Sequence, residues 1–126
     1  MEIQRVLVAE DDVYIRKVTE LSLKRAGFDV RSVEDGSQVL SALSDALVDL
    51  IVLDGMMPVM DGFECCRRLK TDPRTAAIPV VMLTARSQTN DEQIAREAGA
   101  IGYIRKPFDA LTLGDQLRGI CAQLPR

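Results

Sequence analysis

A single α/β domain built on a parallel, doubly wound sheet is the fold this sequence predicts, and three observations predict it. Short, nearly continuous apolar runs recur along the chain, as strands covered on both faces require. Amphipathic helical patterns fill the intervals between them. The 126 residues suffice for one ordinary domain and not for two, and no internal repeat, low-complexity tract or linker interrupts the alternation. Five strand–helix units follow, with right-handed crossovers placing helices on both faces.

The first strand is Arg5-Val6-Leu7-Val8-Ala9, and it runs into Glu10-Asp11-Asp12. From Val13 to Ala26, the residues Ile15, Val18, Ser22, Leu23 and Ala26 share one arc of a helix. Arg16, Lys17, Glu20 and Lys24 fall opposite, toward solvent. Gly27 stands where a helix commonly ends on a left-handed glycine. Asp29 to Val33 is a weaker strand. Leu50-Ile51-Val52-Leu53 is a strong one, ending at Asp54. Met60-Asp61-Gly62 reads as a turn into a helix from about Phe63 to Lys70, with Arg67, Arg68 and Lys70 as its solvated face. Asp72-Pro73 ends it, because the residue before proline avoids helical backbone. Pro79 to Leu83 ends at Thr84, and Ile101 to Ile104 precedes Arg105-Lys106-Pro107. Leu113, Leu117, Ile120, Cys121 and Leu124 make a helical stripe, with Asp109 as its expected N-cap.

Composition narrows the function classes. Hydrophobic residues are 47% and charged residues 28%, a globular balance rather than a disordered one. Sixteen Lys and Arg against nineteen Asp and Glu leave a net charge of −3, which disfavours direct nucleic-acid binding. No apolar run approaches the ~20 residues of a membrane span, and no secretory signal pattern opens the chain. A cytoplasmic protein without membrane attachment is expected. There is no histidine, which excludes His-paired nucleophiles and His-ligated zinc. A histidine phosphoryl carrier would have to come from a partner. Cys65, Cys66 and Cys121 are an odd number with an adjacent pair, so small packing residues in a reducing compartment are expected rather than disulfides.

In an open parallel sheet, ligands bind beyond the carboxyl ends of the strands. Those positions hold Glu10, Asp11 and Asp12, then Asp54, Thr84 and Lys106. Two unit charges 4 Å apart interact by about 4 kcal/mol at an effective dielectric near 20. Clustered carboxylates therefore call for exposure, a proton or a cation. Oxygen ligands on a shallow rim suit Mg²⁺. With an ammonium and a hydroxyl opposite, the same rim suits a phosphoryl group, and a carboxylate stands there as its acceptor.

These residues occur within recognisable motifs: Val6-Leu7-Val8-Ala9-Glu10-Asp11-Asp12, the stretch from Leu53-Asp54-Gly55 through Met60-Asp61-Gly62, Leu83-Thr84-Ala85, and Tyr103-Ile104-Arg105-Lys106-Pro107-Phe108. In this order and over essentially the whole chain, the sequence resembles response-regulator receiver domains, the chemotaxis-regulator-like modules of two-component signalling. The resemblance implies a flavodoxin-like sheet in the order 2-1-3-4-5, and one receiver domain over 1–126 with its core at about 4–124 and no output domain. It implies Asp54 as phosphoryl acceptor and a Mg²⁺ ion, with Mn²⁺ as substitute. The ion would be held by Asp11, Asp54 and the main-chain oxygen of Met56, with Glu10 acting through water. Lys106 and Thr84 would contact the phosphoryl group, as would the main-chain N–H groups of Met56 and Ala85. Thr84 and Tyr103 would form the switch, and the bond to Pro107 would be cis.

The implied function is a phosphorylation-activated switch. It receives its phosphoryl group from a histidine kinase or phosphotransfer protein and alters partner binding through the fourth helix, fifth strand and fifth helix. The downstream effector stays unspecified, and a weak or phosphorylation-dependent dimer is compatible with it. The implied chemistry is self-phosphorylation and slow self-dephosphorylation, not turnover of an external substrate. The common family pattern opens with two aspartates, and here the first acid is Glu10. Asp12 falls outside the direct shell and reads as a solvated acid at a helix start. Arg86 would lie near the mouth of the site. Three alternatives stand beside this reading. A phosphorylation-independent docking module would also keep the fold. An aspartyl-phosphate hydrolase is disfavoured by Met56, two residues after Asp54, where such enzymes carry a second aspartate. An FMN binder is disfavoured by acids after the first strand, where a phosphate loop would be needed.

Overall fold

The computed structural model describes residues 3–85 and 91–123. Among them, strands and helices alternate: β1 (Arg5–Ala9), α1 (Val13–Arg25), β2 (Asp29–Val33), α2 (Gly36–Asp45), β3 (Leu50–Asp54), α3 (Gly62–Thr71), β4 (Val80–Ala85), α4 (Asp91–Ala98), β5 (Gly102–Lys106) and α5 (Leu113–Cys121). The sheet is parallel throughout and ordered β2-β1-β3-β4-β5.

Alternation along each strand sorts the core into two layers. Val6, Val8, Leu50, Val52, Val81 and Leu83 join Leu23 of α1 and Leu113 and Leu117 of α5 on one face. Leu7, Ala9, Ile51, Leu53, Val80 and Met82 join α2, α3 and α4 on the other, through Val39, Leu43, Cys66, Leu69, Ala95 and Ala98. Every residue of β3 is buried, the consequence of a central parallel strand with helices on both sides. Among the described residues, no helix is long and apolar enough to cross a membrane. All three cysteines are free, two of them buried, and burial pushes the Cys65 thiol up to about 12.

Local chemistry sets the helix ends. The Asp12 and Asp61 side chains accept from the main-chain N–H groups of Ile15 and Glu64, capping α1 and α3. Gly27, with φ 96°, takes the left-handed position after α1. Gly62 serves the site directly, because a Cβ there would lie 2.1 Å from the main-chain oxygen of Asp54. Only a glycine lets α3 start against the end of β3.

Five expectations need correction. Asp109 does not cap α5: its carboxylate accepts from the Leu111 N–H, closing a turn, and α5 begins after Thr112, which makes no side-chain cap bond. The fourth strand starts after Pro79 and includes Thr84 and Ala85, and the fifth starts after Ile101 and includes Arg105 and Lys106, because Thr84 pairs with Arg105 and Ala85 with Lys106. Lys70 is not solvated but half-buried, donating to the carbonyls of Ala76 and Ile78. Arg16 turns inward, its side chain only 15% exposed. Arg86 and Leu124 lie outside the described residues.

Candidate functional site

Strand adjacency assembles the site. Ala9 pairs with Leu53 and Asp54 with Leu83, so Glu10, Asp54 and Thr84 fall side by side along the carboxyl rim. Lys106 ends β5 and reaches back across β4. Its Nζ lies 2.7 Å from Glu10 Oε1 and 3.1 Å from Asp54 Oδ1. Carboxylate oxygens of Glu10, Asp11 and Asp54 lie within 4.8 Å of one another. Glu10 and Asp54 are buried, at 1% and 4% exposure, while Asp11 is exposed.

Each group is held differently. Glu10 uses both carboxylate oxygens, one for Lys106 and one for the N–H of Asp12. Asp54 Oδ1 accepts from the Met56 N–H at 3.2 Å as well as from Lys106. The Met56 side chain points into solvent, 70% exposed. Thr84 is 2% exposed, and among the described residues its hydroxyl has no hydrogen-bond partner. Such an orphan is rare and calls for an explanation. Side chains alternate along β4, so Thr84 shares the sheet face of Met82, and Met82 pairs with Tyr103. Tyr103 is half-buried against that core layer, with the Arg96 guanidinium 5.7 Å from its ring centre. The Lys106–Pro107 bond is cis.

The electrostatics are unbalanced. Burial pushes the Glu10 carboxyl up from 4.5 to about 7 against the pull of Lys106, and the neighbouring Asp54 charge adds to the rise. Burial works to lower the Lys106 ammonium, but the acceptors Glu10 and Asp54 outweigh it and hold it above the ordinary lysine value. Among the described residues, one ammonium stands among three carboxylates and leaves negative charge to spare. Hard oxygen donors, no nitrogen or sulfur, and one exposed acid at the mouth fit Mg²⁺ or Mn²⁺. An unsatisfied hydroxyl at the end of the adjacent strand β4, on the same rim, fits an incoming anion.

Sequence reasoning located Glu10, Asp11, Asp54, Thr84 and Lys106, and the fold brings them to one rim. It missed Arg16, whose guanidinium donates to the main-chain oxygen of Glu10 at 2.9 Å. Helical periodicity alone placed that residue on the wrong side, and no sequence signal marked it.

Comparison with known proteins agrees with this geometry. The family model for the response regulator receiver domain matches residues 6–118. The chain is 38% identical over 122 residues to the DNA-binding dual master transcriptional regulator RpaA of Synechocystis, covering 97% of this chain and 51% of that protein. It thus spans about half the length of the curated relatives it matches. A putative response regulator from Chloroflexus aurantiacus superposes with a TM-score of 0.89 at 31% identity, covering 97% of this chain and 100% of the other. The receiver domain of the sensor histidine kinase PA1611 from Pseudomonas aeruginosa superposes with a TM-score of 0.84 at 28% identity, covering 97% and 100%. That structure has a magnesium ion coordinated in its active-site cleft.

Proposed function

The chain belongs to the response regulator receiver domain family, a family of signalling switches, and on that premise we propose that Asp54 is its phosphoryl acceptor. The observation that carries this is the buried pair Asp54 and Thr84 beside the half-buried Lys106, in which the Thr84 hydroxyl has no partner among the described residues. A carboxylate oxygen of Asp54 attacks phosphorus, the bond from phosphorus to the partner's imidazole nitrogen breaks, and that nitrogen takes up a proton from water. A mixed anhydride on Asp54 results. These 126 residues hold no histidine, so the donor is a phosphohistidine outside them or a small phosphodonor.

Asp11, Asp54 and the main-chain oxygen of Met56 would hold Mg²⁺ or Mn²⁺, with Glu10 behind a water, and the ion supplies neutralisation of phosphoryl oxygens. Lys106 shifts from the two carboxylates toward the new dianion. Thr84 gains the acceptor it lacks, and its N–H neighbours at Met56 and Ala85 donate to the remaining oxygens. Movement of Thr84 opens room on its face of the sheet, and Tyr103 follows from its place against the same layer. The α4–β5–α5 surface changes accordingly. The size of this response is set by the difference in contacts between the two states. Chemistry at Asp54 is limited to self-phosphorylation and slow hydrolysis. Tyr14, Val59 and Leu111 are exposed large hydrophobic side chains on the segments that follow β1, β3 and β5, and they offer contacts to the protein that brings the phosphohistidine.

The test is incubation with acetyl phosphate, with and without Mg²⁺, read by intact mass. A labile mass gain that needs Mg²⁺ and disappears in Asp54→Asn supports the reading. Full labelling of that variant refutes it.

A further inference from the structure

Arg16 lies on α1, where Lys17, Lys24 and Arg25 are exposed, yet its own side chain is only 15% exposed. Burying a guanidinium costs solvation, which its contacts must offset. One contact, to Glu34 Oε1 at 3.7 Å, involves an acid that is 59% exposed, and such pairs contribute little. The other is the hydrogen bond from Nη1 to the main-chain oxygen of Glu10 at 2.9 Å. That oxygen belongs to the peptide linking Glu10 to Asp11. A peptide is planar, so fixing its oxygen also fixes the direction in which the chain enters Asp11. On its other side, the Glu10 N–H donates to Val33 O at 3.1 Å. Among the described residues, the Asp11 carboxylate makes no hydrogen bond or ion pair with another side chain. Its place within 4.8 Å of the Glu10 and Asp54 carboxylates is therefore set by the backbone, which Arg16 holds at the Glu10 carbonyl and Asp12 holds at the start of α1.

We propose that Arg16 is a positioning residue for the divalent-cation site: it orients the Glu10–Asp11 peptide so that the Asp11 carboxylate stays in the cluster. This rests on reading the acidic cluster as a cation site. Positioning and simple charge predict opposite signs. A guanidinium near the cluster repels an incoming cation, so removing it would tighten binding if charge alone mattered. If position matters, removing it weakens binding. Outer partners of metal ligands typically alter affinity by roughly 10- to 100-fold.

The test is calorimetric titration of Mg²⁺ into the wild type, Arg16→Met, Arg16→Lys and Glu34→Gln, with urea melts confirming that each is folded at the titration temperature. Arg16→Met is expected to bind on the order of tenfold more weakly. Arg16→Lys keeps the charge but loses the planar fork, so it recovers only part of that loss. Glu34→Gln stays near the wild type. Wild-type or tighter binding by Arg16→Met overturns the proposal while leaving the cation site standing. A wild type that binds no Mg²⁺ overturns both. If Arg16→Met does not fold, Arg16→Lys decides alone: weaker binding supports the proposal and unchanged binding overturns it.

Discussion

At the amino-terminal end of the sheet, Thr75 is buried and its hydroxyl donates to Leu69 O at 2.7 Å. Nearby, Lys70 Nζ donates to two carbonyls, and one Asp49 oxygen accepts from the N–H groups of Gln4 and Arg5. At the carboxyl end, Glu10 and Asp54 are as deeply buried but share one ammonium, and the Thr84 hydroxyl has no partner among the described residues. The same sheet thus has one end whose polar groups are matched within the chain and one whose groups await something from outside. Polar groups left unmatched cost stability, and proteins retain them where function requires it.

That contrast can be broken in three ways. The largest expected effect is in the pH dependence of the metal-free protein. The folded-state pKa of Glu10 lies above its unfolded value, 4.5 against about 7. Its contribution to stability is therefore fully present below about 4.5, is lost as pH rises toward about 7, and is flat beyond. The loss is at most about 3 kcal/mol. Urea unfolding at a series of pH values should show this fall in the wild type and its disappearance in Glu10→Gln. An unchanged slope in that variant would refute the assignment.

Next comes one substitution made at both ends. Thr75→Val leaves the Leu69 carbonyl without its hydroxyl donor and is expected to destabilise by about 1–2 kcal/mol, with phosphorylation intact. Thr84→Val removes a hydroxyl that has no partner among the described residues, so the unphosphorylated protein should be unchanged or up to about 1 kcal/mol more stable. Its response to phosphorylation should be lost. Equal destabilisation at both positions would erase the distinction between the two ends.

The smallest effect concerns the loop after β3. Val59 has φ 69° and is 83% exposed, so a β-branched side chain sits in left-handed backbone without burial to offset it. Val59→Gly should stabilise by about 0.5 kcal/mol in chemical denaturation, because the added freedom of glycine in the unfolded chain cancels part of the relief.

Sequence reading reached the elements whose causes are local. β1 and β2 begin and end where their apolar runs do, and α3 starts at the turn read from Met60-Asp61-Gly62. It stopped where a partner distant in sequence decides. β4 extends through Ala85 because Lys106 of β5 is there to pair with it. Asp109 is drawn into a turn by the N–H of Leu111, a competition that spacing does not show. Lys70 is drawn inward by carbonyls of the following loop. The site was legible as a set of chemical types at strand ends, and strand order then brought them together. The missing partner of Thr84 and the inward turn of Arg16 are properties of packing, with no one-dimensional signal.

The claim that the carboxyl end alone waits for a ligand is tested most directly by two-dimensional NMR of the labelled protein, titrated first with Mg²⁺ and then with beryllofluoride. The account predicts shifts at Asp11 and Asp54 on adding the metal, then at Thr84, Lys106 and Tyr103 with the phosphoryl mimic, while Thr75, Lys70 and Asp49 stay unmoved. A spectrum indifferent to both additions, or shifts centred on the amino-terminal end, would contradict it.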